Sequence, residues 1–257
     1  MLNIITEGPD STQANGTPPL IVAHGLYGSA RNWGVLQKRL ATSRQVIAVD
    51  MRNHGESPHE NSQSYPDMAA DLAEVIAAHG GRADLLGHSM GGKAAMVLAL
   101  TQPALVNRLI VADIAPTAYT HSQIDKIDAL RHVDLTTITR RGEADAQLKP
   151  HLPDDMLRAF LLQSLRLGGE GASWRLNLDV LEREMPLITG WPDITGQFEG
   201  KTLFLRGALS DYVQPEHAAL IAALFPNAQT ESIDGANHWL HAEKPREFQE
   251  VVEEFLG

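Results

Sequence analysis

Ser89 stands in Gly87-His88-Ser89-Met90-Gly91, a G-x-S-x-G pattern that follows the apolar run ADLLGHS (83–89) and opens a helical stretch. In that setting a serine sits on a sharp strand-to-helix turn with its hydroxyl free to attack a carbonyl, and the flanking glycines allow close backbone approach. The same letters, read from Gly87 as GHSMGGKA, fall one residue short of the phosphate-cradling loop G-x-x-x-x-G-K-[ST]. RLIVAD, ending at Asp113, even imitates the apolar strand and aspartate that hold magnesium in such proteins. Ala94 cannot supply the magnesium-ligating hydroxyl, so the phosphate reading fails. The blander reading of Ser89 is a helix N-cap, and only further matches separate it from a nucleophile.

Two matches do so. A serine hydroxyl is a poor nucleophile without a base, and imidazole titrates in the useful range. The chain has 11 His, but His238, in DGANHWLHAEKP (234–245), follows the last expected strand and is the candidate base. HGLYGS (24–29) follows the strand PLIVA, where a turn can aim an N–H at a developing oxyanion. The expected donors are the main-chain N–H groups of Leu26 and Met90. The acid that orients His238 should lie between serine and histidine in chain order. Asp113, ending RLIVAD, and Asp211, in RGALSDYV, both satisfy that order.

Other polar residues receive plainer readings. His241 lacks an H-E-x-x-H arrangement and is read as structural, with no metal site. Asp50 and Arg52 are expected to fix their loop by a local ion pair, and His54 to hold a turn. Lys93, one helical turn past Ser89, is expected to be structural and paired to an acid. Phe160, Leu161, Leu162, Trp174 and Leu181 are expected mainly to form local core, with an acyl pocket as the alternative.

Positioning these groups requires a scaffold of buried strands. PLIVAHG (19–25), RQVIAVDM (44–51), ADLLGHS (83–89), RLIVADIAP (108–116) and KTLFLRG (201–207) are near-continuous apolar runs of the kind that fill a parallel sheet covered on both faces. Helical spacing between them, as in Arg31–Leu40 and Tyr65–His79, predicts a doubly wound α/β sheet. The alternation stops between about Thr117 and Phe198, where helices are expected over 124–132, 154–167 and 175–184 and no strand. A helix over 215–224, a strand in AQTESIDG and a helix over 245–256 complete the pattern, and Pro9 to Pro19 reads as a loop.

The 257 residues suffice for one large α/β domain with an insertion. A net charge of -11 argues against a nucleic-acid surface, and the absence of Cys excludes disulfides and thiolate catalysis. With no basic-then-apolar N-terminus and no spanning run, a cytoplasmic protein without membrane insertion is expected.

Taken together, HGLYG (24–28), DMRNHGES (50–57), GHSMGG (87–92) and GANHWLHAEKP (235–245) resemble the α/β-hydrolase superfamily across nearly the whole chain. VDMRNHGESP, GHSMGGKA, DIAP and NHWLHAEKP look most like the small YbfF-type acyl esterases of bacteria and their mitochondrial abhydrolase relatives. In most of the superfamily the acid stands three residues after the glycine that ends the strand here written KTLFLRG. That position is Ser210, and Asp211 is off by one. YbfF-type esterases are similar in carrying serine there and an aspartate at the end of the preceding core strand, which Asp113 matches. The resemblance therefore implies a triad of Ser89, His238 and Asp113, with Ser210 as a hydrogen-bonding auxiliary and Asp211 in reserve.

It also implies an α/β-hydrolase fold, a mostly parallel sheet flanked by helices, with a helical cap inserted after the sixth core strand. Residues 1–116 and 199–257 would form the core and 117–198 the cap. The implied activity is that of a serine carboxylesterase acting on small acyl esters or thioesters through an acyl-enzyme, without cofactor or metal, as a monomer or homodimer. A carbon–carbon bond hydrolase, perhydrolase or lyase on the same fold, or a non-catalytic ligand-binding member, are the alternatives.

Overall fold

The computed structural model describes residues 1–10, 17–169 and 171–257, so most of the loop expected from Pro9 to Pro19 lies outside the described residues. Seven strands form one sheet: β1 (Ile4–Glu7), β2 (Leu20–Ala23), β3 (Val46–Val49), β4 (Ala83–His88), β5 (Val106–Ala112), β8 (Lys201–Gly207) and β9 (Ala228–Ile233), in the order β1-β3-β2-β4-β5-β8-β9. All neighbours are parallel except β1, which runs antiparallel along the β3 edge.

Side-chain alternation divides the apolar runs between two cores. Ile21, Ile47, Leu85, Leu109 and Phe204 face α2 (Tyr65–Ala78) and α3 (Met90–Thr101). Leu20, Val22, Ala48, Leu86, Ile110 and Leu205 face α1 (Gly34–Leu40) and α11 (Pro245–Leu256), whose Leu36, Leu40, Phe248 and Val252 complete the second layer. Every residue of α3 from Met90 to Leu100 is buried, as suits a helix over the centre of the sheet. The side chain of Ser64 caps α2 by accepting from the Asp67 amide at 3.3 Å, with Pro66 in the first turn.

Between β5 and β8 the chain leaves the sheet. It forms α4 (Ile124–Arg131), α5 (Arg141–Leu148), α6 (Asp155–Leu161), a hairpin of β6 (Leu165–Gly168) and β7 (Gly171–Trp174), α7 (Leu178–Arg183) and α8 (Met185–Thr189). The hairpin corrects the expectation of an insertion without strands. Leu165 and Trp174 pair across it, Gly168 and Gly171 pair at its turn, and the helix expected to run to Leu167 stops at Leu161. The insertion follows the fifth strand, not the sixth, because among the described residues five strands precede it. The remaining helices are α9 (Ala218–Leu224) and α10 (Leu240–Glu243). Among the described residues no helix is long and apolar enough to cross a membrane.

Register decides where chemistry can occur. His88 at the end of β4 pairs with Ala112 at the end of β5, and Ala112 pairs with Leu205 of β8. The Ser89 amide then donates to Ala112 O at 3.0 Å, and the Asp113 amide to Leu205 O at 2.8 Å. Ser89 and Asp113 thus leave adjacent strands at the same carboxyl edge, the edge where open α/β sheets bind ligands.

Candidate active site

The backbone at Ser89 has φ 50° and ψ -116°, a conformation that costs of order 1–3 kcal/mol for a residue with a side chain. Such a turn survives only where its surroundings enforce it. A Cβ on Gly91 would lie 2.4 Å from Ala23 O and 2.6 Å from His24 O, so only glycine lets the first turn of α3 approach β2 this closely. A Cβ on Gly25 would sit 2.8 Å from His88 Nδ1.

From this turn, Ser89 Oγ lies 3.2 Å from His238 Nε2, and His238 Nδ1 lies 2.8 Å from Asp113 Oδ2. Asp113 is wholly buried with φ 52°. Its Oδ1 accepts from the Gly207 amide at 3.0 Å, and its Oδ2 also accepts a hydrogen bond from Ser210 Oγ. Two donors besides the imidazole therefore hold this carboxylate in one orientation. Asp211, the competing acid, is exposed on the surface beyond Ser210.

The imidazole is itself fixed from several sides. Tyr212 stacks on it with ring centroids 3.9 Å apart at 21°. His88 sits 4.7 Å away on another side, its Nε2 2.9 Å from the His238 carbonyl. Burial holds His88 well below the usual histidine range, so its neutral ring donates from Nε2 to that carbonyl. Neither Tyr212 nor His88 was singled out from the sequence. His88 is the variable residue of G-x-S-x-G, and Tyr212 adjoins Asp211, but neither position carries a local pattern that marks contact with His238.

Leu26 and Met90 line the same cavity as Ser89 and His238, which encloses about 320 Å³. Met90 N–H belongs to the first turn of α3 and has no intrahelical acceptor. The loop carrying Leu26 is held by two buried histidines. His24 Nδ1 donates to Gly25 O at 2.8 Å and its Nε2 accepts from the Met51 amide at 2.9 Å. His54 does the same, with Arg52 O at 2.8 Å and the Tyr27 amide at 3.1 Å. Burial lowers both pKa values, His54 to about 3, so both rings stay neutral and keep an acceptor nitrogen. The turn role expected of His54 is what its contacts describe.

Several plainer expectations are corrected. Asp50 does not pair with Arg52. It accepts from Asn3 Nδ2 at 2.8 Å and from the amides of Ala30 and Glu56 at 2.7 and 2.9 Å, whereas Arg52 makes a two-pronged pair with Asp71 at 2.6 and 2.9 Å. Loop 50–57 is thus pinned by backbone amides, which identity-by-spacing cannot reveal. Lys93 has no acid partner among the described residues; its Nζ donates to Thr189 O at 3.0 Å and Gly190 O at 2.5 Å. Of the five apolar insertion residues considered, Phe160 lines the cavity and packs on Trp239 at 5.5 Å, while Leu161, Leu162 and Leu181 are buried in the core and Trp174 packs against it. His241 is buried and stacks on Trp33 at 4.4 Å. No group of three or more His, Asp and Glu among the described residues could hold a metal ion.

A model of the alpha/beta hydrolase fold family matches residues 18–245. The chain is 41% identical to the sn-1-specific diacylglycerol lipase ABHD11 of Mus musculus, a match covering 93% of this chain and 81% of that protein. It is 37% identical to Esterase YbfF of Escherichia coli over 100% of this chain and 99% of the relative. Among solved structures, a marine microorganism esterase superposes with a TM-score of 0.93 at 37% identity, covering 99% of this chain and 98% of that one.

Proposed function

The chain belongs to the α/β-hydrolase family, and on that basis we propose that it is a serine carboxylesterase that hydrolyses acyl esters, and the corresponding thioesters, through an acyl-enzyme. The observation that carries the proposal is the unbroken relay from Ser89 Oγ through His238 to Asp113, at 3.2 and 2.8 Å.

In this reading His238 takes the Ser89 proton as Oγ attacks the substrate carbonyl, and the resulting oxyanion is held by the N–H groups of Leu26 and Met90. The tetrahedral intermediate collapses, His238 protonates the departing alcohol or thiol, and Ser89 is left acylated. Water, deprotonated by His238, then attacks the acyl-enzyme and restores Ser89. Asp113 keeps the Nδ1–H tautomer and stabilises the imidazolium that forms at each stage. Ser210 and the Gly207 amide orient Asp113. The segment between β5 and β8 serves as a cap, contributing Tyr119, Leu157, Phe160 and Ile188 to the cavity wall and so shaping the acyl site.

The test is Ser89→Ala assayed on a short p-nitrophenyl ester. Turnover should fall by about 10⁶-fold if the three residues act as one unit, and a fluorophosphonate probe should label the wild-type protein and not the variant. Near-normal turnover or undiminished labelling in the variant would overturn the reading.

A further inference from the structure

Lys93 is a buried amine facing the same cavity as Ser89, with no anion beside it among the described residues. It is 1% exposed and lines the inner wall together with Tyr65, Tyr119, Ile188 and Thr189. Two of its three N–H donors go to the carbonyls of Thr189 and Gly190. The ammonium also lies 4.8 Å from the Tyr119 ring centre and 5.5 Å from that of Tyr65. Carbonyl dipoles and ring faces solvate a positive charge without neutralising it, and one N–H is left over. Among the described residues no carboxylate lies within ion-pairing distance, and desolvation pushes the amine down to about 7.

The rest of the cavity wall supplies no countercharge: it contains no Asp or Glu, in a chain whose net charge is -11, and of its two lysines and five histidines His24, His88 and His241 are kept neutral by burial. The second lysine, Lys126, is matched by Asp125 at 2.9 Å, which leaves Lys93 as the unmatched charge. An enzyme for neutral acyl chains gains nothing from an unneutralised ammonium in its inner wall, since burying it opposes folding. A ligand carrying the missing anion turns the same feature into recognition.

Accordingly, we propose that Lys93 is the recognition point for a carboxylate at the far end of the acyl chain, so that the preferred substrates are half-esters or half-thioesters of dicarboxylic acids. The proposal rests on the esterase reading above. The acyl side is assigned because Lys93 lies in the buried wall beneath the inserted segment. His238, which in this reading delivers a proton to the departing group, is 21% exposed at its side chain, against 1% for Lys93. Hydrolysis adds water across the acyl C–O or C–S bond and releases the dicarboxylate and the alcohol or thiol.

The test compares mono-p-nitrophenyl esters of glutarate, adipate and suberate with the same esters capped as methyl esters at the far end, each measured as kcat/KM. In the wild-type protein at about pH 6, where Lys93 is protonated, at least one carboxylate-tailed ester should be favoured over its capped partner by about tenfold to a hundredfold, the range of one hydrogen bond between charged groups. The preference should vanish by about pH 9. The tail stays ionised throughout that range. His238 acts on both members of a pair alike and cancels in the ratio. The phenols facing Lys93, Tyr65 and Tyr119, are pushed upward by burial and stay neutral, and the nearby His121 is held below its usual value. Lys93→Met, which removes the charge and keeps the length, should show no preference at either pH. A wild-type ratio near one at every chain length, or a preference that persists in Lys93→Met, overturns the proposal and leaves Lys93 as a clamp between α3 and α8. Failure of the wild-type protein to turn over even the capped esters would instead overturn the esterase reading on which it rests.

Discussion

At the scale of single residues, the site is defined by which aspartate reaches His238. Asp113→Asn should lower kcat by about 10⁴-fold on a p-nitrophenyl ester, the usual loss when the imidazole is held in the wrong tautomer. Asp211→Asn should stay within about twofold, since its carboxylate is exposed and does not touch the imidazole. Ser210→Ala removes one of the two groups that hold Asp113 and should cost about tenfold to a hundredfold, with the loss in kcat and not in KM. Equal losses in both aspartate variants would refute the assignment. Ser89 and His238 were legible from the chain because elbow and terminal loop each carry a local pattern. The carboxylate that reaches His238 was legible only through a resemblance: Asp113 and Asp211 fit the chain order equally well, and burial, which separates them, is not a property of spacing. Lys93 was legible as a residue but not in its surroundings, because the carbonyls that receive it come from about a hundred residues away.

At the scale of elements, β4, the Ser89 turn and α3 form one device whose precision rests on contact between backbones. Gly91→Ala should force the α3 terminus away from the β2 carbonyls, against a Cβ position 2.4 Å from Ala23 O. We expect a loss of about 1–3 kcal/mol in stability from overpacking, read as a lower urea midpoint, together with a fall in kcat that exceeds any change in KM. Unchanged kinetics would show that the turn tolerates displacement. The core strands were readable because β2 to β5 and β8 are apolar enough to be buried on both faces. The hairpin β6–β7 was not, since LRLG and GASW are short and partly exposed, and their pairing depends on residues across a turn. β1 was missed for the same reason, being a four-residue edge strand with an incomplete apolar face.

At the scale of the whole molecule, burial of neutral histidines ties stability to pH. His54 and His241 are held at about 3 by burial, and His24 and His88 are lowered in the same sense. Their folded-state values lie below the unfolded value of about 6.5, so the unfolded chain binds more protons as the solution is acidified. Their stabilisation is complete above about pH 6.5 and is lost as the pH falls toward 3. Each contributes ~1.4 kcal/mol per pH unit, so His54 and His241 alone remove ~4 kcal/mol by about pH 5. Urea midpoints measured at pH 7.5 and 5 should show that fall, and a flat midpoint would contradict it. One further consequence follows from the side-by-side ends of β5 and β8. Asp113 and Ser210 meet across a single hydrogen bond, although 96 residues separate them in the chain. The imidazole therefore answers to a negative charge at one point in space, not to an address in the sequence. A carboxylate can stand on either strand while the point it occupies hardly moves, and the loop after β8, relieved of supplying it, keeps the lesser duty of holding it through Ser210.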